Sequence, residues 1–227
     1  RSSTSLNEMF FSYDIKAIDS KSIHSEAKKG DFFIVEIPKQ GNGSWFVELH
    51  DSKIVSDDYI SQLGTSGGTI NNGKTNAIPS KGHVVGDLST TVSLTFNEGF
   101  IYGYIKDKSG YNYIEPLSYY DKDQRGNDQY VVYNAKDLKP TAPHKCGTTE
   151  MHDKRDQLYG NDKERSNSRL DECFDVEIAI ANDFAMFEEF GSAFAVEDHA
   201  IGVMNNVQAN YDDEFADELQ YVIVTQF

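Results

Sequence analysis

The sequence TVSLTFNEGFIYGYI, at residues 91–105, has the pattern of a β-hairpin. In its first half Val92, Leu94 and Phe96 alternate with threonine and serine, which predicts a strand with one buried face and one solvated face. The residues Asn97–Gly99 are typical of a tight turn, and the second half is again apolar and aromatic. The stretch therefore predicts two antiparallel strands that line one side of a core.

The same alternation of apolar runs and turn residues extends from residue 31 to residue 133. A Gly41–Gly43 turn separates two of these runs, and short strands at hairpin spacing indicate an antiparallel sheet, a sandwich or an open barrel. Residues 64–73, which are rich in glycine and asparagine, are expected to form a loop. The other expected strands lie at residues 32–37, 45–49, 111–117 and 129–133.

After residue 172 the pattern changes to strand, helix and strand. Apolar residues alternate from Phe174 to Ile180, and a second strand is expected at residues 219–225. Between them Ser192 can cap a helix whose apolar positions recur every three or four residues. This order predicts a parallel βαβ unit, which normally begins a larger sheet.

Charge divides the chain at the same place. The 227 residues include 21 lysines and arginines and 37 acidic residues, for a net charge of −16, and every basic residue precedes Glu172. An acidic chain repels nucleic-acid phosphates, so no nucleic acid is expected as a partner. No apolar run approaches the roughly 20 residues of a membrane helix, so no membrane span is expected.

These changes predict three parts. Residues 1–150 are expected to form a β-rich domain, residues 151–172 an exposed linker, and residues 173–227 an incomplete βαβ unit. The linker is polar, and exposed polar loops are the usual sites of proteolytic nicking. Trypsin-like proteases are expected to cut it after its arginines, which are Arg155, Arg165 and Arg169.

Five segments, taken in order, form a further pattern. They read HVVG at 83–86, YGYI at 102–105, YIEPL at 113–117, PHKCGT at 143–148 and VEIAIAND at 176–183. In order and spacing, the first three resemble the propeptide of reprolysin or ADAM-type zinc metalloproteases, which belong to the adamalysins among the metzincins. The fourth resembles the cysteine switch of that family, and the fifth resembles the opening strand of its catalytic domain.

The resemblance implies the latent zymogen of a secreted zinc metalloendopeptidase. The implied fold class is α+β: an antiparallel β-rich propeptide domain, a linker, and a βαβ unit that begins a metzincin-type α/β catalytic domain. Cys146 would be the inhibitory zinc ligand and Glu177 a ligand of a structural calcium ion. The histidine motif that binds zinc would lie after Phe227, so this chain contains no catalytic residue and is expected to be inactive alone. Its implied partners are the remainder of its own catalytic domain and an activating protease.

The proposed role of Cys146 has a chemical basis. A catalytic zinc keeps one coordination position for water, and a thiolate in that position blocks the water that drives hydrolysis. Alternatively, Cys146 is a structural cysteine, for example in a disulfide with Cys173, and Glu177 is an ordinary strand residue. Two other functions are open: a secreted β-sandwich adhesion or ligand-binding module without enzymatic activity, and a stand-alone inhibitor that supplies Cys146 to another protein's zinc.

Overall fold

A computed structural model describes residues 6–140, 174–215 and 218–227. In the first range the elements are α1 (Leu6–Met9), β1 (Asp14–Ala17), α2 (Ser20–Ala27), β2 (Phe32–Pro38), β3 (Ser44–Asp51), β4 (Val55–Thr65), β5 (Gly68–Gly73), β6 (Ile78–Val84), β7 (Asp87–Asn97), β8 (Phe100–Asp107), β9 (Gly110–Pro116) and β10 (Gln129–Asn134). In the later ranges they are β11 (Phe174–Ile180), α3 (Phe184–Phe190), α4 (Ala193–Phe215) and β12 (Leu219–Gln226).

Eight of these strands form one curled antiparallel sheet, in the order β1-β10-β9-β8-β7-β6-β3-β2. The predicted hairpin is at its centre, with Leu94 opposite Gly103 in the β7–β8 register. A Cβ atom on Gly103 would lie 2.0 Å from the carbonyl oxygen of Ser93, so only glycine fits there. One face of the sheet packs with α2 around a core that includes Val35, Ile37, Val47, Leu49, Val92, Leu94, Phe96, Ile101, Ile105 and Ile114.

A second sheet has the strand order β11-β12-β4-β5. Strand β12 is parallel to both of its neighbours, β11 and β4, and β4 forms an antiparallel hairpin with β5. The sheet packs around a second core that contains Ile54, Tyr59, Ile201 and Ile223. It therefore joins two strands of residues 55–73 with two strands of residues 174–226.

The loop predicted at residues 64–73 is wrong, because most of this segment belongs to the β4–β5 hairpin. Strand β5 is exposed along nearly all its length, so it shows none of the apolar alternation by which a strand is recognised. Strand β5 is held by backbone hydrogen bonds to β4, and such bonds cannot be recognised from the local side chains.

The predicted α+β fold class, with a separate βαβ unit at the C-terminus, is also wrong. The chain is mostly β, with few helices. Both strands and the helix of the predicted βαβ unit lie where the sequence predicts them, and the two strands, β11 and β12, are parallel. However, two strands and one helix cannot enclose a core by themselves. Here β4 and β5 complete their sheet, and α4 packs on the other sheet as well.

Helix α4 covers the second face of the large sheet at β6, β7 and β8. The prediction that the threonine and serine face of β7 is solvated is therefore wrong, since Ser93 and Thr95 are 0% exposed. In the described part of the chain no helix is both long enough and apolar enough to cross a membrane.

Candidate functional site

The surface that α4 buries against the two sheets is the most polar buried region of the described structure, and we call it the helix interface. On the helix it comprises Val196, Glu197, Asp198, Ala200, Ile201, Gly202, Asn205, Gln208 and Ala209. Buried polar groups must find partners, because an unpaired one costs about 1–3 kcal/mol. The partners of these side chains therefore show how the helix is recognised.

Glu197 is bound on the side of the smaller sheet. It is 3% exposed, and the hydroxyl of Tyr59, on β4, donates to its Oε1 at 2.6 Å. The same hydroxyl lies 3.2 Å from Oε1 of Gln226, on β12. Burial raises the pKa of Glu197, against the opposing hydrogen bonds from Tyr59 and Ser61. Burial likewise raises the pKa of Tyr59, with the Glu197 carboxylate adding to the effect.

Asp198, the next residue, is bound at the turn between β7 and β8. It is 8% exposed, and Nδ2 of Asn97 lies 3.1 Å from each of its two carboxylate oxygens. Burial raises the pKa of Asp198 to about 7, because the hydrogen bonds from Asn97 only partly replace the lost water.

His199 is bound among aromatic rings. The hydroxyl of Tyr119, in the turn after β9, lies 3.0 Å from its Nδ1 atom. Its ring stacks on Phe190, with centroids 4.5 Å apart, and meets Tyr102 edge to face at 5.3 Å. Burial lowers the pKa of His199 to about 4, since an apolar surround disfavours the charged imidazolium. Three consecutive ionisable residues thus contact three different elements of the N-terminal part.

Farther along α4 the contacts are made by amides. Nδ2 of Asn205 donates to the carbonyl oxygens of Ser80 at 3.0 Å and Leu94 at 3.3 Å, and the hydroxyl of Ser93 donates to Oδ1 of Asn206 at 2.8 Å. A Cβ atom on Gly202 would lie 2.6 Å from Cδ1 of the Tyr102 ring, so this glycine allows the helix to approach β8 closely.

The last turns of α4 make ion pairs with the large sheet. Lys81, on β6, lies 2.8 Å from Asp212, and Lys106, on β8, lies 2.8 Å from Asp213. At the other end of the segment, Nζ of Lys122 lies 3.0 Å from Glu189. The acidic C-terminal segment, which has no lysine or arginine, thus obtains its cations from the N-terminal part.

The residues that the sequence proposed as sites are in other places. Cys146, Arg155, Arg165 and Arg169 all lie outside the described residues. Glu177 is exposed on β11, opposite Val222 of β12. Within residues 6–140, 174–215 and 218–227, no three His, Cys, Asp or Glu side chains are grouped as they would be around a metal ion.

Sequence reasoning missed the helix interface. It predicted an amphipathic helix with Val196, Ala200, Val203, Val207 and Tyr211 on its apolar face, and only the first two of these are buried. The available signal was the run at residues 197–199, where ionisable residues interrupt an otherwise apolar stretch.

Comparison with known proteins does not assign the chain to a family. It matches no protein-family model, and no curated protein is similar to it.

Proposed function

We propose that the chain belongs to the latent form of a secreted zinc metalloendopeptidase, in which residues 1–150 hold the acidic segment that begins at residue 173. The observation that carries this proposal is the helix interface, where α4 and β12 are bound by elements of the N-terminal part. In this view the N-terminal part acts as a folding template and as an inhibitor.

The two sides of the interface differ in what they lose when they are separated. The face of β7 that α4 covers carries Ser93 and Thr95, which water can solvate. The isolated segment would expose Ile201 and Ile223 and would keep only β11 beside β12, whereas the N-terminal part would expose Ile54 and Tyr59 but would keep the whole core of the large sheet. The N-terminal part is therefore the side that can fold alone, as a template must.

In this proposal Cys146 blocks the active centre. A catalytic zinc would supply a Lewis acid and a bound water of lowered pKa, and a thiolate in the position of that water prevents hydrolysis. The other zinc ligands would come from residues outside this chain. The activating protease would cut at Arg155, Arg165 or Arg169, and Glu177 would serve a structural calcium ion.

The test uses the protein produced from its complete gene. We expect one zinc ion per chain by elemental analysis, and we expect Cys146→Ser to release peptidase activity without cleavage. His144→Ala is the matched control, because it changes the neighbouring side chain and should leave the protein latent. A zinc-free protein that stays inactive as Cys146→Ser would reject the proposal and favour the adhesion or ligand-binding module.

A further inference from the structure

A cavity of about 570 Å³ opens where the α3–α4 turn meets the β7–β8 turn. Its volume is in the range of cavities that bind small molecules. Four aromatic rings contribute to its wall, two from each part of the chain: Phe100, Tyr119, Phe190 and Phe194. Phe194 is 54% exposed, so its ring stands at the opening.

Asp198 is one of the residues that line this cavity. Within the described residues no lysine or arginine forms a salt bridge with Asp198, and its hydrogen-bond donor is Asn97. Each carboxylate oxygen has two lone pairs, so a further donor can bind. A buried carboxyl group without a cation beside it is unusual, and the raised pKa of Asp198 is a consequence.

The rest of the wall carries two carboxyl groups, of which that of Glu189 is paired with Lys122, and one guanidinium group. Glu98 and Glu189 line the cavity together with Asp198, and Arg125 is the only basic residue among the described lining residues. Nη2 of Arg125 donates to the carbonyl oxygen of Glu189 at 2.6 Å, at the C-terminal end of α3. There the guanidinium group faces the negative end of the helix dipole.

We propose that this cavity binds the ammonium group of a small organic cation, with Asp198 as its counter-ion. The ammonium group donates a hydrogen bond to the Asp198 carboxylate, while the surrounding rings offer π faces to the positive charge. The alkyl part of the ligand packs against Phe194 at the opening. This inference does not rest on the proposed protease function.

The first experiment titrates the 227-residue chain with n-pentylammonium chloride or with 1-pentanol, in a calorimeter at pH 8. The alcohol has the same alkyl chain but no charge. We expect saturable binding of the ammonium ion at one site, at least about tenfold tighter than that of the alcohol. Equal affinities, or no binding of either compound, would overturn the proposal.

The second experiment removes the counter-ion. Asp198→Asn keeps the shape of the side chain and an acceptor for Asn97, and it should weaken n-pentylammonium binding by about tenfold or more. Glu188→Gln is the matched control, because it removes the same charge from an exposed residue of α3 outside the cavity wall. Equal losses in the two variants would show a general charge effect and would contradict the proposed site.

A third variant keeps the proposal testable if Asp198→Asn does not fold. Phe194→Ala removes a half-exposed ring and should weaken binding several-fold, whereas unchanged affinity would contradict the site. Nα-acetyl-lysine methylamide then identifies the source of the cation. If it binds as tightly as n-pentylammonium, the ligand is a lysine side chain of a protein, and if it binds more weakly, the ligand is a free amine.

Discussion

The effects of Asp198 and His199 on the pH dependence of stability should cancel each other. Burial raises the pKa of Asp198 from 3.8 to about 7 and lowers that of His199 from 6.5 to about 4. Between about pH 4 and pH 6.5, the folded protein therefore carries a proton on Asp198 and none on His199. In the same pH range, the unfolded chain carries a proton on His199 and none on Asp198. Both states then bind the same number of protons, so this pair adds little slope to the curve of stability against pH.

The substitution His199→Gln should expose the effect of Asp198. A carboxyl group whose folded pKa is raised contributes stability that is complete below pH 3.8 and is lost as the pH rises to about 7. This rise in the pKa of Asp198 corresponds to about 4 kcal/mol, as an order of magnitude. Glu197, whose pKa is also raised by burial, acts in the same direction.

The substitution Asp198→Asn should expose the opposite effect, that of His199. A histidine whose folded pKa is lowered contributes stability that is complete above pH 6.5 and is lost as the pH falls to about 4. This shift corresponds to about 3 kcal/mol, again as an order of magnitude. Relative to the unmodified protein, the two variants should therefore change the pH slope in opposite directions.

The assay is urea unfolding at four pH values between 4.5 and 7.5, followed by circular dichroism and by the fluorescence of Trp45, which is buried in the large sheet. His50→Gln, on β3, is the control for the loss of a histidine outside α4, and its slope should stay closer to that of the unmodified protein than the slopes of the two interface variants do. If both interface variants keep the slope of the unmodified protein, then Asp198 and His199 are not shifted in opposite directions, and the reasoning is refuted.

Three other predictions concern the same structure. Tyr59→Phe removes the donor to Glu197 and should lower the free energy of unfolding by about 1–3 kcal/mol in urea titration, whereas Tyr111→Phe, a half-buried control, should change it less. Gly103→Ala should prevent or greatly weaken folding, seen as loss of the cooperative thermal transition, because its Cβ atom would meet the carbonyl oxygen of Ser93 at 2.0 Å. Limited trypsin digestion should cut first between residues 154 and 169, and the two fragments should elute together in size-exclusion chromatography; early separation would contradict a stable helix interface.

Some elements could be predicted from local sequence because their chemistry is local. The β7–β8 hairpin follows from alternating apolar residues around a two-residue turn, and the N-terminus of α4 follows from Ser192, whose hydroxyl accepts a hydrogen bond from the backbone of Ala195 at 3.1 Å. The pairing of β12 with β4 could not be predicted in this way, because about 170 residues separate Ile223 from Val55. The candidate site depends on that pairing and on the burial of the polar face of β7, and neither has a local signal.

The charge asymmetry, which suggested two independent units, supports the opposite conclusion once the ion pairs are known. A segment without lysine or arginine cannot neutralise its own aspartates and glutamates. Lys81 and Lys106 of the large sheet neutralise Asp212 and Asp213 at the end of α4. Buried and partly buried pairs of this kind add specificity more than stability, because removing water from the charges offsets most of their attraction. A helix of another sequence could bury as much apolar surface on this sheet, but it would not offer Asp212, Asp213 and Asp198 to Lys81, Lys106 and Asn97. The N-terminal part is thus suited to bind this one segment, as an intramolecular template and inhibitor would be.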